Sequence, residues 1–421
     1  MNSTKSCIYR ENHLYLEATR LANLAEEFGT PLYAYSEQIL TELFLEYQNS
    51  FGQKTHLICF AVKANSNIAI LNLLAKLGSG FDIVSGGELQ RVMAAGGDPK
   101  KVVFSGIGKT EEEIKYALEV GIYCFNVESP SELKRIENIS KSMGRKANVS
   151  FRVNPDVDAK THPYISTGLK ENKFGIPWHD AIEIYKTAHS SKFVSVCGID
   201  CHIGSQMVDK EPFIDSVRRI MKLSDDLQKI GIIISHFDFG GGLGIRYEKE
   251  TPPPPKDWVK SLLEVFDKKN SKIILEPGRS IAGPAGILLT KVEYIKRGEE
   301  KNFLVVDAAM NDLLRPALYS SYHPILELEK RNNVEEAHYD VVGPVCETGD
   351  FLGKNRKLAV KAGDFLAILG TGAYTMSMAS NYNSRGRAPE ILVSGKKSTL
   401  IKPRESIKAL FEQEIIPSDQ M

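Results

Sequence analysis

The sequence predicts a (β/α)8 barrel followed by an antiparallel β domain, and three observations carry that prediction. Eight short apolar runs alternate with helix-period segments between residues 56 and 277. The texture changes to closely spaced strands and turns after residue 285. Residues suited to chemistry cluster where the apolar runs end, which in such barrels is the catalytic end.

The β-like runs are residues 56–62, 81–85, 102–105, 123–127, 149–154, 194–203, 236–240 and 272–276. Between them, 68–77, 88–96, 111–121, 131–144, 213–231 and 258–269 show apolar residues at helical spacing. The same alternation also fits an open doubly wound sheet. Pro252 to Pro255 reads as a stiff surface loop before the last barrel helix. The runs 286–296, 303–309, 338–343, 364–369, 390–394 and 398–401 follow with few helical segments. The barrel is thus expected over 29–284 and the β domain over 285–421, joined by residues 1–28, where 7–9 and 13–16 look like short strands. The tail from 403 carries mixed charge and reads as one short helix at most.

Among the 421 residues, Lys plus Arg equals Asp plus Glu at 53 each, so no net field favours nucleic acid or an anionic membrane. The N-terminal residues contain no apolar signal segment and nothing approaches a membrane span, so a cytoplasmic enzyme acting on a small molecule is expected. The six cysteines form no CxxC pair, which argues against a disulfide framework and a structural zinc site. Cys59, Cys124, Cys197 and Cys201 fall in apolar runs and read as core residues, whereas Cys346 has a polar flank.

Two glycine patterns carry no nucleotide motif. SGIGKT at 105–110 has Val103 where a phosphate-binding loop requires its first glycine, and GGGLG at 240–244 has Ile245 where a dinucleotide fingerprint requires its last. Yet Gly240, Gly241 and Gly242 follow the seventh run and Glu276-Pro-Gly-Arg279 follows the eighth, the usual phosphate position of a barrel. CFAVKANSN at 59–67 places Lys63 where the first run meets turn formers; taken alone it would be a solvated strand-end lysine. Asp82 and Ser85 end the second run, and His202 ends the sixth. A lysine able to form an imine, a flat histidine, a carboxylate for a ring nitrogen and a glycine-lined anion pocket together describe a pyridoxal phosphate site.

Longer motifs carry a family resemblance: FAVKANSN, GFDIVSGGEL (80–89), RVNPDVDAKTHPYISTGLKENKFG (152–175), HIGSQ (202–206), DFGGGLG (238–244), EPGRS (276–280), MNDLLRPALY (310–319), GPVCETGD (343–350) and GAYTMSMASNYNSR (372–385). From about residue 10 to 400 the chain resembles the diaminopimelate decarboxylases, which belong to the alanine racemase-like, fold type III pyridoxal phosphate enzymes. Gly386 departs from the pattern, where proline or leucine is expected, and touches no assigned role. The resemblance implies that Lys63 bonds to the cofactor, His202 packs on its ring and Glu276 pairs with its nitrogen. It gives the phosphate to Gly240, Gly241, Gly242, Gly278 and Tyr374, with Asp82, Ser205 and Arg279 also at the cofactor. Cys346 becomes the acid that returns a proton to Cα.

The resemblance also puts Arg279, Arg315, Tyr319, Glu347 and Tyr374 around the substrate. Guanidinium forks and a carboxylate together suit a zwitterionic tail, as in diaminopimelate, better than the bare ammonium of lysine or ornithine. The expected activity is decarboxylation of meso-2,6-diaminopimelate at its D centre to L-lysine. Decarboxylases of ornithine, arginine or carboxynorspermidine are the near alternative, for which an acidic residue in place of Arg315 is the expected signature. A non-catalytic pyridoxal phosphate carrier would lack the second domain and the Cys346-Glu347 pair. The resemblance also implies a homodimer with shared active sites, which suits the position of Cys346 nearly 70 residues beyond the last barrel strand.

Overall fold

The computed structural model describes residues 7–158, 173–268, 270–331 and 333–417. Positions 159–172 of the quoted 152–175 motif therefore lie outside the described residues. Two compact units emerge, one of Leu40–Arg246 with Glu250–Ile281, the other of Met1–Ile39, Tyr247–Lys249 and Ala282–Met421. Among the described residues no helix is long and apolar enough to cross a membrane.

The first unit is the barrel. Strands His56–Ala61, Gly80–Ile83, Val102–Phe104, Cys124–Val127, Ala147–Asn154, Val194–Asp200, His236–Asp238 and Lys272–Leu275 pair in that order, all parallel. The ring closes where Ile273, Ile274 and Leu275 pair with His56, Leu57 and Ile58, which excludes the open sheet. Cys59, Val103, Cys124 and Ile274 pack together inside the ring, with Leu57 and Cys197 against them. They come from alternating strand positions, so every second residue of a strand faces the barrel axis.

Helix caps explain why the strands stop where they do. Asn67 accepts from the Ala69 N–H at 2.9 Å and opens Ile68–Lys76, while Val62–Ala64 forms a single 3₁₀ turn. The turn formers after Lys63 are thus an N-cap, and Lys63 sits in the turn between strand and cap. Ser85, Thr110 and Ser129 cap the next three barrel helices in the same way. Thr110 and Glu113 form a reciprocal capping box, and Glu113 also accepts from the Gly86 N–H at 2.7 Å.

The lysine of SGIGKT is structural. Lys109 is buried, and its Nζ donates to Glu132 Oε1 at 2.7 Å, to the Asn126 carbonyl at 2.9 Å and to the Gly106 carbonyl at 2.5 Å.

The second unit is a sheet in the order Phe351–Leu358, Ala337–Val342, Asn302–Val306, Gly286–Arg297, Leu32–Ser36, Glu390–Ser394 and Lys397–Lys402, with Phe365–Leu369 also on Gly286–Arg297. Most pairs are antiparallel. Asn302–Val306 with Ala337–Val342, and Glu390–Ser394 with Leu32–Ser36, are parallel. Leu32–Ser36 lies in this sheet, not in the barrel that the sequence reading begins at residue 29. All five of its residues are buried, with Tyr33 donating to the Asp312 carbonyl at 2.6 Å and Tyr35 to Glu390 Oε2 at 2.7 Å. The N-terminal strands Cys7–Arg10, His13–Leu16 and Thr19–Arg20 make a small sheet of their own. Their apolar face joins Leu32, Ile287, Leu369 and Ile391 in one core.

Candidate active site

The C-terminal ends of the barrel strands bring most of the expected residues together. The Lys63 ammonium donates to Asp82 Oδ2, and Asp82 is fully buried with its Oδ1 lacking a hydrogen-bond partner. His202 follows the sixth strand. Burial, with Arg152 and Lys63 nearby, holds it well below the usual imidazole range, so the ring is neutral at pH 7.

The glycines allow this approach. Gly240 has φ +64°, and a Cβ there would stand 2.5 Å from His202 Nδ1. A Cβ on Gly241 would be 2.3 Å from the Glu276 carbonyl, and one on Gly278 2.9 Å from Ala64 Cβ. Gly242, at φ +101°, would meet the Gly204 carbonyl at 2.7 Å. Arg279 donates to Ser205 Oγ at 3.0 Å, joining two further expected residues.

Glu276 is buried and accepts from Ser105 Oγ at 3.3 Å, which in turn accepts from Asn126 Nδ2 at 3.1 Å. Burial and then Asp238, Asp82 and Asp200 push its carboxyl well above the usual range, against the pull of Lys63. Asp200, Asp238 and Glu276 offer oxygens within 4.8 Å of one another. So many buried carboxylates stay together only by holding protons or by facing a cation. The neutral ring, glycine cradle, open Asp82 oxygen and proton-rich carboxylates fit a phosphorylated pyridine cofactor.

Sequence reasoning misses a buried pair beside this set. Arg152 NH1 donates to Glu128 Oε1 at 3.3 Å and its NH2 to the His202 carbonyl at 3.4 Å, while the Gly175 N–H donates to Glu128 Oε2 at 2.9 Å. The usable signal is the alternation: Cys124, Asn126 and Glu128 share one face, as do Ser150 and Arg152.

The remaining expected residues belong to the other unit. Arg315, in the short helix Arg315–Tyr319, is buried, with its guanidinium carbon 5.4 Å from the ring centroids of both Tyr247 and Tyr319. Cys346 is exposed, and its N–H donates to Asn383 Oδ1 at 2.8 Å. Glu347 Oε1 accepts from the Tyr382 hydroxyl at 2.5 Å. Tyr374 has φ +56°, a left-handed conformation that side-chain-bearing residues adopt only where surroundings enforce it.

Comparison with known proteins shows the family. The family profile described as "Pyridoxal-dependent decarboxylase, pyridoxal binding domain" matches residues 37–283. The diaminopimelate decarboxylase of Haemophilus influenzae is 54% identical over 407 residues, covering 96% of this chain and 98% of that one. That of Aquifex aeolicus is 45% identical over 406 residues, covering 96% of each. Among solved structures, Helicobacter pylori diaminopimelate decarboxylase complexed with L-lysine superposes with TM-score 0.90 at 44% identity, covering 94% and 99% of the two chains. The M. jannaschii enzyme in co-complex with L-lysine gives TM-score 0.95 at 41% identity, covering 100% of both. With its barrel-mouth lysine, buried carboxylates and full-length likeness to these enzymes, the chain belongs to the diaminopimelate decarboxylase family of pyridoxal-dependent decarboxylases.

Proposed function

We propose that this chain binds pyridoxal 5'-phosphate at the barrel mouth and decarboxylates meso-2,6-diaminopimelate at its D centre, releasing carbon dioxide and L-lysine. The observation that carries the reading is the convergence of Lys63, His202, Glu276 and the Gly240–Gly242 cradle on one end of the barrel. Lysine in the complexes of two relatives supports the product.

Lys63 would hold the cofactor covalently and Asp82 orients that lysine. His202, neutral and fixed by Gly240, offers a flat face for the ring. Gly240, Gly241, Gly242 and Gly278, with Ser205, Arg279 and Tyr374, would receive the phosphate through backbone N–H groups and polar side chains. Pyridoxal phosphate, when bound, supplies an electron sink for the pair left at Cα as the carboxylate departs. Glu276 holds a proton at its buried carboxyl, available to a ring nitrogen. Cys346 carries the proton returned to Cα at its Sγ. Arg279 and Arg315 would take the distal carboxylate, Glu347 the distal ammonium, and Tyr319 and Tyr374 the pocket walls.

Cys346 and Lys63 would meet across a two-fold homodimer, each site drawing on both chains. Mixing inactive Lys63→Ala with inactive Cys346→Ala under subunit exchange should restore roughly a quarter of full activity, since about half the dimers are mixed and each has one intact site. No recovery after demonstrated exchange refutes the shared site. The activity itself is tested by offering the holoenzyme diaminopimelate, lysine, ornithine and arginine separately and measuring released carbon dioxide. Faster release from any substrate other than diaminopimelate overturns the assignment.

A further inference from the structure

The end of the barrel opposite Lys63 holds a second cluster that the proposed reaction does not use. Cys124 begins the fourth strand, His236 begins the seventh, and Cys197 lies in the sixth. Their Sγ and ring nitrogen atoms all lie within 4.8 Å of one another, with Cys124 Sγ 3.9 Å from His236 Nε2.

Two features of the backbone create this arrangement. The register between the fifth and sixth strands shifts between Val196 and Gly198, so Cys197 is the extra residue of a bulge. A bulge re-aims one side chain, and here Cys197 joins Cys59, Val103 and Cys124 inside the ring. Gly198 then leaves the space that His236 fills, since a Cβ there would stand 2.0 Å from His236 Nε2. The imidazole is fully buried, and its Nδ1 has no hydrogen-bond partner. At present Cys197 Sγ donates to the Val149 carbonyl at 3.2 Å, and the His236 ring packs on Tyr123 with centroids 5.2 Å apart, so an ion would have to draw the thiol from that carbonyl.

A disulfide does not account for the cluster. Cys124 and Cys197 sit on strands two apart, which puts their backbones about 9 Å from each other, beyond the roughly 7 Å limit of a disulfide's Cα separation. A tetrahedral zinc ion, with bonds of about 2.3 Å to sulfur and 2.0 Å to nitrogen, spaces its ligands about 3.5–3.8 Å apart. The three groups need to contract by no more than about 1 Å to meet that spacing. Cys197 is the partly exposed member of the cluster, so an ion and a water as fourth ligand would have to enter past it.

We propose that Cys124, Cys197 and His236 form a binding site for one zinc-class divalent cation at the N-terminal end of the barrel, separate from the decarboxylation site. Spacing along the chain conceals it, because the three ligands come from three different strands and no two form a short sequence motif. The ion would tie the fourth, sixth and seventh strands together, and binding would release the thiol protons.

The test uses chelator-treated holoenzyme carrying Cys346→Ser, so that the exposed thiol cannot compete. Equilibrium dialysis against micromolar Zn2+ should give one ion per chain, and Co2+ should produce a thiolate-to-metal absorption band. Adding Cys197→Ser should weaken binding by about 100-fold or more, because even loss of a group that only orients a ligand costs 10–100-fold. In the unsubstituted holoenzyme, Zn2+ should protect one further thiol per chain from alkylation, mapped to the partly exposed Cys197, since Cys124 is too buried to react in either state. This second measurement needs no substituted chain and so does not depend on a variant folding. Absence of bound zinc in the Cys346→Ser parent overturns the proposal. So does unchanged affinity after Cys197→Ser, or protection mapped to other cysteines.

Discussion

Gly240→Ala tests the link between backbone conformation and cofactor seat. The residue sits at φ +64°, where an L side chain costs about 1–2 kcal/mol. The new methyl would also stand 2.5 Å from His202 Nδ1 and 3.1 Å from the Cys201 carbonyl, an overpacking worth about 1–3 kcal/mol. Together these amount to about 2–5 kcal/mol, reduced by up to about 1 kcal/mol through the stiffer unfolded chain. Urea unfolding of the cofactor-free protein should report that loss. Equilibrium dialysis should report a fall in pyridoxal phosphate affinity of at least about tenfold, because His202 must turn away to admit the methyl. His202→Ala combined with Gly240→Ala separates the two causes, since removing the imidazole relieves the contact and leaves the strained φ. The cycle should give a favourable coupling of about 1–3 kcal/mol. Zero coupling, or a single variant indistinguishable from the parent in both assays, refutes the reasoning.

Arg315→Ala should lower kcat/KM for diaminopimelate by roughly one to two decades, since a charge-assisted hydrogen bond contributes about 1.5–3 kcal/mol; unchanged kinetics would remove the distal-carboxylate role. Burial holds Asp238 at about 6 against an ordinary 3.8, so the folded chain keeps a proton that the unfolded chain has lost between those values. Stability of the cofactor-free protein should therefore fall as pH rises from about 4 to 6, by up to about 3 kcal/mol, and Asp238→Asn should flatten that slope in urea titrations. Lys109→Met should destabilise by about 3–5 kcal/mol, because it strands Glu132 and two carbonyls in the interior; a loss below about 1 kcal/mol in the same titrations contradicts the structural role.

The barrel is legible because its signals are local. Each apolar run is short and ends at a cap such as Asn67 or Thr110, and the helices between carry one apolar face. Lys63, His202, Gly240 and Glu276 can be found once strand ends are numbered, since chemistry in this architecture gathers at one end. Arg152 and Glu128 escape notice because a buried ion pair uses the residue types of a solvated surface, and only their partnership reveals burial. The strand Phe351–Leu358 hides for a related reason, as Lys354, Asn355 and Lys357 interrupt it with exposed side chains. Leu32–Ser36 looks like the start of the barrel because its true partners, Gly286–Leu289 and Glu390–Val393, are remote in sequence.

That last strand has a consequence for biosynthesis. Leu32–Ser36 emerges early from the ribosome, yet its neighbours in the sheet are translated roughly ten seconds to a minute later at about 5–20 residues per second. All eight barrel strands are available once Leu275 has been made. The nascent chain therefore carries a five-residue strand with every side chain destined for burial and no sheet to receive it. Until the C-terminal third is complete, this stretch has none of its native partner strands and stays open to mispairing.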